Sequence, residues 1–383
     1  MTATTTPGSS LIAPARPATE VVVQNMVSPI ITTQNATFSP VPLTALETRR
    51  YVGWVAAAVA PLEEFIDEPS DPRDFYDGLR EIAEGGSGSV FAATLVPDAP
   101  LDHLRLPSLV KARDTDNVRM GRDVLVAIKC VMLVPGENTK VADVRRECEL
   151  LKGLSCEQIL GLDALYVDLE EESLWIRMEL MERSLANVIE LAEEGLREPR
   201  IIARFASDML QALDYLQRHR IAHCDLRSDN LLLNRQGVLK LADFSSAVLA
   251  TSDIAFATSP VGVMYWQAPE VRSGSYDPLK IDVWSVGATV WELAEGRPPF
   301  SDTHEPAHRW PPISDPTLYP PSFHDFLHVC SAPAMIRPSP RDLLEAPYLQ
   351  KACGRPVIVQ LLARCTEIED PLQGRDGLPN LPP

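Results

Sequence analysis

The segment His223-Cys224-Asp225-Leu226-Arg227-Ser228-Asp229-Asn230 runs into the apolar Leu231 to Leu233 and, 13 residues after Asn230, meets Asp243-Phe244-Ser245. Asp225 and Asn230 stand five apart in one loop, and Asp243 opens another. Two oxygen donors, Asn230 and Asp243, suit magnesium ions on a triphosphate and leave Asp225 nearer an incoming hydroxyl. Taken singly, each of these polar residues reads as a solvated loop residue or a helix cap. In this order and spacing they read jointly as a site for phosphoryl transfer.

Upstream, Val126-Ala127-Ile128-Lys129 ends an apolar strand on a lysine, which wants an anionic partner at such a place. Glu147 follows 18 residues on, in a stretch of helical spacing, and an ion pair between the two would hold the lysine toward a ligand phosphate. A surface salt bridge of little worth is the plain alternative. Further upstream, Glu84-Gly85-Gly86-Ser87-Gly88-Ser89-Val90 is a glycine-rich turn leading into strand-like residues, where backbone N–H groups can approach phosphate oxygens. It does not open a helix, which argues against a Walker or Rossmann site, and by itself it fits an ordinary hairpin.

Ser89 to Thr94 and Asp123 to Val131 read as strands, Lys140 to Leu154 and Glu198 to Arg218 as helices, so strands come first and helices later, as in two lobes of different class. The 383 residues suggest two domains by length, although one large domain with long tails fits equally. Fifteen of the 34 prolines fall after residue 300, and the middle of the chain is poorest in them. Residues 1 to 42 are rich in Thr, Ser, Pro and Ala and are expected to be disordered. Between Leu43 and Phe65 a helical pattern fits either a short helix docked on the main body or a partly formed helix in a tail. A formal charge of −18 repels polyphosphate strands, so nucleic acid is not an expected partner. No apolar stretch reads as a transmembrane helix. Nothing at the amino terminus reads as a secretion signal, and a cytoplasmic location is expected. The seven cysteines are scattered without a CxxC pair and read as buried reduced thiols, with neither a disulfide framework nor a zinc site.

On these motifs the sequence resembles the protein kinase family, in texture the p21-activated, Ste20-like serine/threonine kinases. The likeness runs from about Asp71 to Leu349 and includes Val261-Gly262-Val-Met-Tyr265-Trp266-Gln-Ala268-Pro269-Glu270, Asp282-Val-Trp284-Ser-Val-Gly287 and Arg337. The resemblance implies an α+β, bilobal fold with a β-rich small lobe over about 71–178 and a helical large lobe over about 179–349. Residues 1–70 would be a disordered or weakly helical extension and 350–383 a C-terminal tail, with Val357 to Ala363 read as a helix on the large lobe. It implies that Gly85, Gly88 and Val90 cover ATP, with Ala127 also in the nucleotide pocket, and that Lys129, oriented by Glu147, binds the α- and β-phosphates. Met178 would be the gatekeeper, Glu179 and Met181 the hinge, and Leu232 part of the adenine floor. Asp225 would be the catalytic base, Arg227 a catalytic cation, and Asn230 and Asp243 the Mg2+ ligands. Glu270 would pair with Arg337, and Asp282 would anchor the catalytic loop from below.

Several positions depart from the family pattern. Ala83 stands for the first glycine of the loop, and Cys224 for the arginine that grips an activation-loop phosphate. Arg227 stands for a lysine, Ser245 for the glycine after Asp-Phe, and Val263 for a threonine that bonds near the catalytic aspartate. Thr258 and Ser259 fall near the family's activation-loop phosphosite. Residues 92 to 123 form a long link, read as an exposed insertion, and the proline-rich stretch from Pro298 to Pro321 replaces a docking helix. No segment for binding small GTPases is readable in residues 1 to 70. Two functions follow: a Mg-ATP-dependent kinase of Ser/Thr hydroxyls on protein substrates, or a pseudokinase scaffold that binds signalling partners. Ala268-Pro269-Glu270, which shapes a peptide platform, disfavours a small-molecule kinase.

Overall fold

The computed structural model describes residues 51–376, apart from 68–70, 86–87, 98, 100, 102–103, 137–138, 193–194, 252–256 and 258–260, with side chains described as far as residue 369. Thr258 and Ser259 and the expected disordered segment 1 to 42 lie outside the described residues.

A short helix, α1 (Gly53–Val59), precedes the antiparallel strands β1 (Tyr76–Gly85) and β2 (Gly88–Leu95). Then come α2 (Ser108–Arg119), β3 (Leu125–Met132), α3 (Thr139–Leu151), β4 (Ala164–Asp168) and β5 (Ser173–Glu179). The five strands form one sheet in the order β1-β2-β3-β5-β4, every neighbouring pair antiparallel. Side chains alternate across a pleated strand, so register decides which residues share a face. Val90 opposes Lys129, which opposes Ile176, and the next row of the same face is Ala92, Ala127 and Met178. One register thus gathers four residues that the sequence assigned to nucleotide binding.

That face also packs α3. Val131, Leu174 and Ile176 share a core with Val141, Val144 and Cys148 of α3, and with Tyr51, Val55, Val59, Leu62 and Ile66 from the amino-terminal side. Of the two alternatives for the early helical pattern, the docked one holds: α1 and the turn after it bury Val55, Val59 and Leu62, Lys152 pairs with Glu64 at 2.7 Å, and Ile66 bridges to Leu165 of β4. The packed body therefore takes in residues ahead of 71.

The opposite face of the sheet corrects a further expectation. Residues 92 to 123 are not an exposed insertion, because Leu104 and Leu106 join Tyr76, Val126, Ile128, Tyr166 and Trp175 in a second small-lobe core, with Val110 and Val118 of α2 packed against it. Arg177 of β5, fully buried, forms an ion pair with the equally buried Asp114 of α2. The Arg177 guanidinium lies 5.8 Å from the centre of the Tyr76 ring. A strand that offers an arginine to an apolar layer needs a counter-charge there, and the inserted helix carries it.

The large lobe holds β6 (Arg183–Ser184), α4 (Leu185–Leu191), α5 (Pro199–Arg218), β7 (Ile221–Ala222), β8 (Leu231–Leu233), β9 (Leu239–Leu241) and β10 (Val248–Leu249). It continues with α6 (Pro278–Glu295), α7 (Pro321–Cys330), α8 (Pro340–Leu344) and α9 (Arg355–Asp376). Helix α6 is buried on every side from Ile281 to Ala294, mostly through apolar residues, as a central helix must be. Helix α9 is longer than the sequence pattern indicated and sends Ile358, Leu361, Leu362 and Cys365 into the main core. Between α6 and α7 the described chain holds only a 3-10 turn, Pro316–Leu318, consistent with its prolines. No described helix is long and apolar enough to cross a membrane.

Candidate active site

The loop between β7 and β8 is fixed from beneath by a buried carboxylate. Asp282, near the start of α6, accepts hydrogen bonds from the backbone N–H groups of His223 and Cys224, both at 2.8 Å. Burial pushes its carboxyl up to about 6, and those two donors work against the shift. Cys224 takes a left-handed backbone, φ 67°, and its thiol, raised by burial, is directed at the Ala222 carbonyl. The position from which the family's arginine reaches an activation-loop phosphate is therefore filled by a small buried side chain.

His223 is wholly buried, with Nε2 3.1 Å from the Ala242 carbonyl and its ring edge-on to Phe244 at 4.9 Å. Burial lowers its imidazole to about 4, which keeps it neutral. Neutral Nδ1 accepts the Asp225 N–H at 3.3 Å. Asn230 donates its carboxamide N–H to the backbone carbonyl of Asp225 at 2.9 Å and to Oδ2 at 3.0 Å, which leaves the Asn230 carbonyl oxygen available. Burial raises the Asp225 carboxyl, while Arg227, Asn230 and the Val263 N–H hold it down. Val263 lacks a hydroxyl but supplies a backbone donor to the same aspartate. Gly262 makes this approach feasible: at φ 76° its missing Cβ would stand 2.6 Å from the Cys224 carbonyl oxygen.

Asp243 also has a left-handed backbone, φ 62°. Burial alone would raise its carboxyl, but bonds from the Ser245 hydroxyl and N–H, with the nearby charge of Lys129, bring it below the ordinary value. Ser245 is thus a clamp on Asp243. Together, the Asn230 carbonyl and the Asp243 carboxylate are hard oxygen donors of the kind that would hold a magnesium ion.

Glu147 is buried on α3 and accepts the Phe244 N–H at 3.3 Å. Burial raises its carboxyl, Lys129 lowers it and Asp243 raises it. The expected Lys129–Glu147 ion pair is not closed: among the described residues no carboxylate oxygen lies within 4.0 Å of the lysine. Lys129 instead acts on Glu147 and Asp243 through space. Arg227 is likewise engaged elsewhere, paired with Asp229 at 3.1 Å and lying 5.6 Å above the centre of the Trp266 ring.

At the hinge, Glu179 is tied to the large lobe by Lys240 at 2.9 Å and Asn234 at 2.9 Å. These partners override burial and lower its carboxyl. Met178, Met181 and Leu232 are each half-buried, with Leu232 opposite Ser184 in the β6–β8 pair. Gly88, at φ 132°, crosses so close to β3 that a Cβ would meet the Cys130 carbonyl oxygen at 2.2 Å, whereas nothing lies within 4 Å of a Cβ at Gly85. Gly88 is required by the sheet, and Gly85 leaves open space where a ligand could lie.

Two arrangements escaped the sequence reading. Glu292 of α6, buried, accepts the Ser228 hydroxyl at 2.9 Å and the Trp266 indole N–H at 2.9 Å, joining the catalytic loop to the segment before Ala268-Pro269-Glu270. The Asp114–Arg177 pair is the other, and a signal existed for it: Arg177 interrupts the apolar run Leu174 to Met178, as Lys129 ends the run before it. Glu270 and Arg337 do meet, in a bidentate pair whose second bond is 3.1 Å.

A β-sheet lobe and a helical lobe joined by a hinge, with this loop chemistry, define a protein kinase. Residues 115–349 match the protein kinase domain, and the chain belongs to that family. It is 30% identical over 80% of its length to the serine/threonine-protein kinase pakA of Dictyostelium discoideum. It is 29% identical over 76% of its length to serine/threonine-protein kinase 4 homolog A of the same organism, and 32% identical over 77% to serine/threonine-protein kinase TAO2 of Xenopus laevis. The chain spans 25%, 59% and 27% of those three proteins.

Proposed function

We propose that the chain transfers the γ-phosphoryl group of Mg-ATP to serine or threonine hydroxyls of protein substrates. The observation that supports this most directly is the convergence on one loop system of Asp225, Asn230 and Asp243, each with its polar atoms oriented by neighbours rather than consumed by them. Asp225, bonded by Asn230 and Val263, accepts the hydroxyl proton as the oxygen attacks phosphorus. Asn230 and Asp243 hold magnesium, which when bound neutralises charge on the transferred phosphoryl. Lys129, half-buried on the sheet face that carries Val90, Ala127 and Met178, binds the α- and β-phosphates, and Glu147, held by the Phe244 N–H, balances its charge. The similarity to serine/threonine kinases supports the choice of hydroxyl.

The pseudokinase reading draws on one observation, the open Lys129–Glu147 contact. Phosphate transfer from Mg-ATP to a generic protein substrate, with Asp225→Asn assayed beside the wild type and the phosphoamino acids identified, separates the two. Phosphoserine or phosphothreonine from the wild type, reduced by ~10² or more in the variant, is expected for a positioned base. Equal silence of both proteins would leave the scaffold reading in its place.

A further inference from the structure

A cleft of about 360 Å³ lies on the large lobe beside the Glu270–Arg337 pair and shares no lining residue with the small pocket around Asp225 and Gly262. Its floor is Trp284, rigidly held: the Arg337 guanidinium lies 5.5 Å from its ring centre and Trp310 packs at 4.2 Å. The Trp284 indole N–H is buried with no acceptor among the described residues. One wall is the segment Ala332-Pro333-Ala334, which runs directly into Met335 and Ile336, 96% and 73% exposed. Two adjacent apolar side chains this open to water on the rim of a cleft form a patch that gains from being covered.

The other rim is His308 and Arg309. Arg309 is exposed and donates to the His328 carbonyl at 3.2 Å and to the Ser331 hydroxyl at 2.8 Å, which caps the end of α7. No carboxylate among the described residues pairs with it. Its guanidinium, exposed to water on a chain of charge −18, offers positive charge at this edge of the cleft.

We propose that the cleft is a docking site for an extended segment of a partner protein that carries an acidic side chain next to an apolar one. The acid meets Arg309 and His308, and the apolar side chain covers Met335 and Ile336. Docking here is separate from phosphoryl transfer and does not depend on it.

The probe is a display library of random twelve-residue peptides, selected on the full chain and counter-selected on the Arg309→Glu/Met335→Ser double variant. Enriched peptides should share an acidic residue within a few positions of Leu, Ile, Met or Phe. By fluorescence anisotropy their affinity should fall about tenfold or more on Arg309→Glu and on Met335→Ser. It should be unchanged by Leu169→Ser, an exposed apolar position on the small lobe. Exchanging the peptide's acid for lysine should restore binding to Arg309→Glu. Circular dichroism melts confirm that the surface variants are folded. No enrichment over the double variant, a consensus without an acid, failure of the charge exchange, or binding of decanoate with no peptide selected would each overturn the docking site.

Discussion

Asp114→Ala removes the counter-charge of a fully buried arginine and leaves Arg177 between α2 and the sheet. Both side chains are at 0% exposure, and the Arg177 Nε and Nη1 have no acceptor of their own, so water does not compensate. Breaking one partner of a buried pair costs about 3–5 kcal/mol, whereas replacing both by apolar groups is often near neutral. Asp163 also acts on Arg177 and has a buried carboxyl raised to about 6, so it offsets part of the loss and places Asp114→Ala near the lower figure, about 3 kcal/mol. For a body of this size that is a melting shift of roughly 6 °C. The Asp114→Leu/Arg177→Met double variant should cost under about 1.5 kcal/mol, because the remaining Asp163 can take up a proton instead of staying charged. Urea or thermal denaturation of wild type, Asp114→Leu, Arg177→Met and the double variant forms a complete cycle, with an expected coupling of about 2 kcal/mol or more. A loss below about 1 kcal/mol for Asp114→Ala, or additive single effects, would refute the packed role of the insertion and return it to an exposed loop.

Gly88→Ala forces a Cβ against the Cys130 carbonyl at a left-handed φ and should destabilise the small lobe by several kcal/mol in a melt, while Gly85→Ala, with open space, should leave the melting point within about 1 °C and change only nucleotide affinity, read by calorimetry. Asp282→Asn replaces one acceptor by a donor facing the His223 and Cys224 N–H groups; a loss of about 1–3 kcal/mol in urea and a fall in phosphate transfer are expected. The Asp208 carboxyl, buried on α5, is raised by that burial from 3.8 to about 6. Its folded form binds the proton more tightly than its unfolded form, so it subtracts stability as pH rises from about 4 to 6. The stability of Asp208→Asn relative to wild type should therefore climb over that interval, by on the order of 2–3 kcal/mol, and be flat above pH 7 in paired denaturation curves. Activity should fall on the acid side at a higher pH than an ordinary aspartate would give, because burial raises Asp225; a pH–rate profile of phosphate transfer checks this.

The sequence by itself determined the candidate constellation. Asp225, Asn230 and Asp243 lie within 19 residues, in neighbouring loops of one segment, and Val90, Ala127, Lys129 and Met178 converge as soon as alternation and strand pairing are applied. The two lobes followed from the order of strand and helix patterns for the same local reason. Tertiary structure alone decided the rest. Whether Lys129 touches Glu147 depends on the placement of α3 against the sheet to within an ångström or two, which no spacing encodes. Arg227 lies over Trp266, and Glu292 joins Ser228 to Trp266, because α6 passes beneath both segments, 64 residues from the serine and 26 from the tryptophan. The insertion of residues 92 to 123 looked polar enough to be exposed, and became a layer of the small lobe because Leu104 and Leu106 join an apolar core and Asp114 meets a buried arginine 63 residues downstream.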